Sequence, residues 1–162
     1  MTDPTPGQFD PMPRGAPPAS HDAIGFQNRA TQQVINFQVA GDLSISTTLP
    51  KFIPHRMRVI GVLGYRATAG AGAGAGGTTT VQVYSKTDGA AAVALLDATM
   101  DFAQASGDTL RAVGSLNAAD ARWFDGGILV EAGDTLHVGI TAIEAGATAP
   151  TGLTVGVLVQ HA

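Results

Sequence analysis

The chain has 162 residues, 16.4 kDa and a formal net charge of −4, with 14% charged residues, 21 glycines, two glutamates, two lysines and no cysteine. That length is one domain, or one domain with an arm. Its charged share is well below the usual ~25% and its glycine share near twice the usual ~7%. These figures exclude a Glu/Lys-rich helical protein, a globally basic nucleic-acid binder, an apolar membrane helix, a disulfide framework and thiolate or cysteine-nucleophile chemistry.

In chain order, residues 1–22 hold six of the nine prolines: Pro4, Pro6, Pro11, Pro13, Pro17 and Pro18. Proline fixes φ and lacks an amide donor, so this stretch suits neither a helix interior nor a central strand. It reads as an extended polyproline-type arm over 1–30, or a disordered tail. Residues 1–14 lack an apolar centre and do not resemble a signal peptide. As an arm, Pro4, Phe9, Pro11, Pro13, Pro17 and Pro18 are the candidate partner contacts; 22 residues at ~3.1 Å each would reach about 68 Å.

From about Gln33 apolar and polar residues alternate with period two, as in half-buried strands. Strands are expected over 34–39, 43–48, 57–68, 78–85, 93–102, 109–116, 128–131, 135–143 and 153–159. Over 57–68, Val59, Leu63 and Tyr65 share one face with Gly61; Val81 and Val83 point inward over 78–85. Leu136, Val138 and Ile140 oppose His137 and Thr141. Ala132-Gly133-Asp134 reads as a hairpin turn. Residues 117–124 are the helical candidate, with Asn117 as N-cap. Eight or nine short strands at roughly ten-residue spacing predict an all-β antiparallel sandwich over 31–162, a jelly roll or an immunoglobulin-like fold; eight strands fit two four-stranded sheets, which favours the jelly roll.

The run GAGAGAGG at 70–77 is not a phosphate loop: no Lys-Ser/Thr follows, and a strand rather than a helix comes next. It reads as a loop tip, or as a low-bulk loop packed against a neighbouring subunit. Catalytic templates fail similarly. His21, His55, His137 and His161 have no metal-ligand spacing. The pairs Asp97/Asp101 and Asp120/Asp125 lack an aromatic cleft for glycoside chemistry and an Asp-x-Asp-x-Asp-Gly calcium series. No serine sits in Gly-x-Ser-x-Gly. The expected protein is not an enzyme and takes no cofactor or metal.

Arg122, Trp123, Phe124 and Asp125 form the densest cluster of large side chains, either a plug closing one end of the sandwich or an interface anchor. Charge is segregated: residues 43–87 carry five basic groups and no acid, and residues 88–162 carry nine acids and two arginines. Either the two segments interleave in the sandwich, or they form complementary edges that meet head to tail. Arg56, Arg58, Arg122 and Trp123 are the candidate contact residues of the domain.

RVIGV at 58–62, the Gly/Ala loop, TTVQVY at 79–84, GILVEAGDTLHV at 127–138 and GLTVGVLV at 152–159 form an ordered series. It resembles the small jelly-roll structural proteins of tailed bacteriophages, over about residues 31–160. The resemblance implies a non-enzymatic virion protein, assembled in the host bacterial cytoplasm, forming a homotrimer and contacting the major capsid protein or other virion proteins. A capsid decoration or cement role is the first reading. A tail-fibre or head-spike component with carbohydrate-receptor binding is the alternative, and a principal jelly-roll shell protein or a free-standing lectin-like module or enzyme is a third. Neither nucleic acid nor membrane is an expected partner; the acidic residues Asp3, Asp10 and Asp22 of the arm count against packaging of RNA.

Overall fold

The computed structural model describes residues 32–74, 76–103 and 111–162. The chain divides into two units, Met1–Gln32 and Gln33–Ala162, and the described fold is that of the second. Twelve strands follow one another: β1 Gln32–Asp42, β2 Ser46–Thr47, β3 Lys51–Phe52, β4 Met57–Thr68, β5 Thr78–Lys86 and β6 Val93–Ala94, then β7 Met100–Ala103, β8 Arg111–Gly114, β9 Trp123–Phe124, β10 Gly127–Val130, β11 Thr135–Ala142 and β12 Thr151–His161. No helix occurs among the described residues.

They form two antiparallel sheets. Sheet A runs β1-β12-β4-β10-β9, with β8 also on β4; sheet B runs β2-β11-β5-β6, with β3 on β11 and β7 on β5. The chain alternates between the sheets so that eleven of the twelve strands fill eight ladder positions, with β9 added outside β10. The positions are β1, β12, β4 and β8/β10 in one sheet, and β2/β3, β11, β5 and β6/β7 in the other, which is a jelly roll. The strand count exceeds the expected eight or nine because the outer positions are broken into pieces. Residues 93–102 are not one strand: β6 and β7 are separated by the buried Leu95 and Leu96.

Residues 117–124 are not helical. Asn117 Oδ1 accepts from Ala119 N at 3.0 Å and Asp120 Oδ1 accepts from Arg122 N at 2.8 Å. Short polar side chains that bond the backbone two residues on favour turns over helix. The chain then enters a β9–β10 hairpin, Phe124 opposite Gly127, whose turn is Asp125-Gly126 with φ 46° and 78°. Positive φ at both central residues is the type I′ requirement that Asp-Gly meets.

Val81 and Val83 of β5, Leu136, Val138 and Ile140 of β11, and Leu153, Val155, Val157 and Val159 of β12 are all buried, as period two predicts. In β4 the period breaks. Val159 pairs with Val59 but Leu158 pairs with Gly61, leaving Ile60 as the extra residue of a β-bulge. A one-residue slip exchanges the faces of everything beyond it. Val59 is buried, but Leu63 and Tyr65 point outward, contrary to the face expected for them, and Val62, Gly64 and Arg66 point inward. Gly64 has no room for more: a Cβ there would lie 2.6 Å from the Phe102 ring.

Arg66 is thereby enclosed, its side chain 1% exposed. Its Nη1 donates to Glu144 Oε1 and to the Phe102 carbonyl. Glu144 Oε2 accepts from Gly70 N at 2.7 Å. The Gly/Ala loop is held further by backbone pairs of Ala71 with Thr148 and Gly76 with Ala145. Its low bulk thus serves packing against residues 144–148 of its own chain. The segregated charges also meet internally: Arg56 with Glu131, Arg58 with Asp125 and Arg66 with Glu144. Of the two readings of that segregation, the interleaved one describes these pairs.

Candidate functional site

The outward faces of the two sheets differ in kind. On sheet A the register aligns Gly156 of β12, Leu63 of β4 and Val113 of β8 in one cross-strand row. Val34 of β1 extends it, since a Cβ on Gly156 would lie 3.1 Å from Val34 Cγ1. Leu63 is 60% and Val113 77% exposed, with Val34 and Tyr65 also open. These residues line a shallow groove of about 550 Å³.

A second groove, about 440 Å³, adjoins the first and shares Leu63 and Val113 with it. It sits at the bulge. β10 pairs with β4 at Met57–Val59 and β8 pairs with β4 from Val62 onward, so Ile60 and Gly61 lack a partner on that side among the described residues. Ile60, Leu158 and Trp123 line this opening. Trp123 is 37% exposed and Phe124 is more open still. Trp123 thus stands at the rim of the sandwich, opposite the buried Ile128 in the ladder and open to the groove.

The turn that carries Trp123 is pinned at both ends. Arg122 grips Asp120 through Nε at 2.9 Å and Nη2 at 2.7 Å, and its Nη1 donates to Ser85 Oγ at 2.6 Å. Hydrogen bonding from Arg122 holds the Asp120 carboxyl below its ordinary value, and the same bond holds the guanidinium above its own. At the hairpin tip Arg58 Nη1 donates to Asp125 Oδ2 at 2.6 Å and to the Asp125 carbonyl at 2.9 Å, while Nη2 reaches Gln160 Oε1 at 3.0 Å.

Three of the four sequence candidates in the domain therefore gather around one hairpin: Arg58, Arg122 and Trp123. Both arginines act there as braces for the turn. Arg56 stands apart in an exposed pair with Glu131. Pro4, Phe9, Pro11, Pro13, Pro17 and Pro18 lie outside the described residues. Sequence reading missed Leu63, Tyr65 and Val113 as surface groups. The signal that locates the hairpin is Asp125-Gly126, which the helical reading passed over.

Sheet B presents a more polar but mixed character, with Ile45 and Phe52 exposed beside it. Its outward rows are Phe52 and Lys86 on either side of Thr135, His137 with Tyr84, and Asp101 with Thr80, while Gln82, opposite Gly139, is buried against the Leu96 backbone. Thr80 and Thr141 share a hydroxyl bond of 2.7 Å. The Tyr84 and His137 rings stack at 5.2 Å. Tyr84 leans over Gly139, where a Cβ would meet the ring at 2.9 Å. Burial, then the charge of Lys86, lowers the His137 pKa from its ordinary 6.5. Far apart in sequence, His55 and His161 also stack, at 4.7 Å. No group of three or more His, Asp or Glu residues is placed to hold a metal among the described residues.

No protein-family model matches the chain. No curated protein matches it. One solved structure, described as Bacillus endospore appendages forming disulfide-linked pili, aligns over 80% of this chain and 86% of that one, at 14% identity and a TM-score of 0.35. An overlap of that size carries no functional argument.

Proposed function

We propose that the chain is a non-enzymatic structural protein of the capsid decoration or cement type, mounting on the outside of a phage head through the outer face of sheet A. The observation that carries the reading is the row of Val34, Gly156, Leu63 and Val113, contiguous with the Trp123 groove. Scattered surface hydrophobes are ordinary, but a contiguous apolar patch marks a protein contact. Aromatic and arginine groups at its margin match the composition of interface centres. The ordered series of strand and turn motifs that resembles phage jelly-roll proteins supports the same reading. The Pro-rich residues 1–22 supply the second contact.

The test is co-sedimentation of the full chain with phage heads assembled without it. Saturable binding is expected, and it drops about 100-fold in Leu63→Asp/Val113→Asp, a loss within the range of interface hot spots. Failure of the unaltered chain to bind overturns the reading.

The carbohydrate-receptor alternative has one observation in its favour, the stacked Tyr84 and His137 rings beside Thr47 in a groove on sheet B. A glycan array with the full chain decides it: reproducible binding lost in Tyr84→Ala moves the function to that sheet.

A further inference from the structure

The sandwich has four sheet edges, and three of them are blunted. On sheet B one edge is the two-residue pieces β2 and β3 with Pro50 and Lys51 between or within them, and the other is β6 and β7, of two and four residues. The far edge of sheet A is broken into β8, β9 and β10, the longest of four residues. Short pieces, Pro and Lys are the ordinary means of preventing edge-to-edge pairing.

β1 has none of them. It is eleven residues long, reads QQVINFQVAGD, and carries neither proline nor any charge before Asp42. It ends the strand order of sheet A, with β12 as its partner among the described residues. Ile35 and Val39 face the core beside Phe37 yet are only partly buried. Among the described residues the core is thus under-covered along this edge.

We infer that β1 pairs antiparallel with β1 of a second copy, so that sheet A runs through a two-fold dimer. A strand paired with itself about a residue-centred two-fold places every residue opposite one of the same parity. Ile35, Phe37 and Val39 then meet one another on the core side, and Val34, Asn36 and Gln38 meet on the outer side, with no like charges opposed. The backbone groups of both edges are satisfied by the pairing. The pairing is made by the backbone of the edge, although Val34 and Asn36 also line the outer-face groove, so head binding and self-association are measured separately. It differs from the trimer that the phage resemblance implies. An edge contact is small beside the ~800 Å² per partner of a standard interface, so the dimer is expected to dissociate on dilution.

Sedimentation equilibrium of the full chain over a range of concentrations up to submillimolar is the test. The expected result is a reversible species of twice the chain mass. Asn36→Lys/Gln38→Lys raises its dissociation constant about tenfold or more by opposing like charges. Mixing that variant with Asn36→Glu/Gln38→Glu restores pairing as a heterodimer, which a merely misfolded variant would not do. Val113→Asp, on the outer face, leaves the dimer intact. A monomer throughout the range, an oligomer indifferent to the β1 lysines, or no rescue in the mixture overturns the inference.

Discussion

The outward faces of sheet A and sheet B are built from the same strand periodicity and end up chemically different. Sheet B turns Thr80, Tyr84, Lys86, His137 and Thr141 outward, a mostly polar set of rows flanked by the exposed Ile45 and Phe52. Sheet A turns out Val34, Leu63, Tyr65 and Val113. Part of the difference originates in one residue. The bulge at Ile60 reverses β4, exposing Leu63 and Tyr65 and enclosing Arg66. The outer face of sheet A thereby gains two exposed apolar groups beside Val34 and Val113, and the core accepts a charge in exchange. Such an arrangement makes sense where the apolar side is covered by another protein.

The largest effect expected from breaking this contrast falls on the enclosed charge. Glu144→Ala leaves Arg66 buried without its carboxylate and costs about 3–5 kcal/mol, read by urea denaturation. Replacing both groups, as Arg66→Met/Glu144→Leu, is expected to recover most of that loss.

Next in size is the asymmetry of binding. Leu63→Asp/Val113→Asp weakens attachment to heads about 100-fold, with a loss of stability limited to about 1 kcal/mol from two like charges opposed across β4 and β8. Thr80→Asp on sheet B leaves attachment unchanged; loss of attachment there would assign the contact to the wrong sheet.

A smaller effect tests the packing of the polar face. Gly139→Ala pushes its Cβ toward the Tyr84 ring and forces it off its place beside His137, for about 1 kcal/mol by thermal denaturation, at the low end of overpacking effects. The smallest effect is one of pH. The folded His137 binds its proton less readily than the unfolded chain does, so below the ordinary value of 6.5 the unfolded state holds more protons. The associated stability is present above that value and is lost as pH falls through the folded one. His137→Gln removes this part of the slope of stability against pH.

Much of the fold was legible because strands β5, β11 and β12 keep strict alternation, and alternation alone assigns their faces. What was not legible depends on pairing between distant segments. The bulge at Ile60 is visible only once β12 lies against β4, and nothing in MRVIGVLGYRAT announces it. Leu63 and Tyr65 were therefore placed with Val59, and Arg66 gave no hint of enclosure until Glu144, 78 positions away, came beside it. The helical reading of 117–124 failed for a local reason: Asn117 and Asp120 bond their own backbone two residues on, and Asp125-Gly126 was a turn signal in plain view. Arg58, Arg122 and Trp123 were singled out by residue type and composition, yet their meeting at one hairpin depends on the register of β10 with β4 and β9. The stacked His55 and His161 are likewise a product of β12 lying beside the segment that precedes β4.

The central claim is that sheet A faces the assembly and sheet B faces solvent. Hydroxyl-radical footprinting of the full chain, free and then bound to heads, tests it most directly, since reactive side chains lie on both faces. The account predicts that Leu63, Tyr65 and Trp123 lose reactivity on binding while Tyr84 and His137 keep theirs; protection of Tyr84 and His137 with Leu63 and Tyr65 still reactive would contradict it.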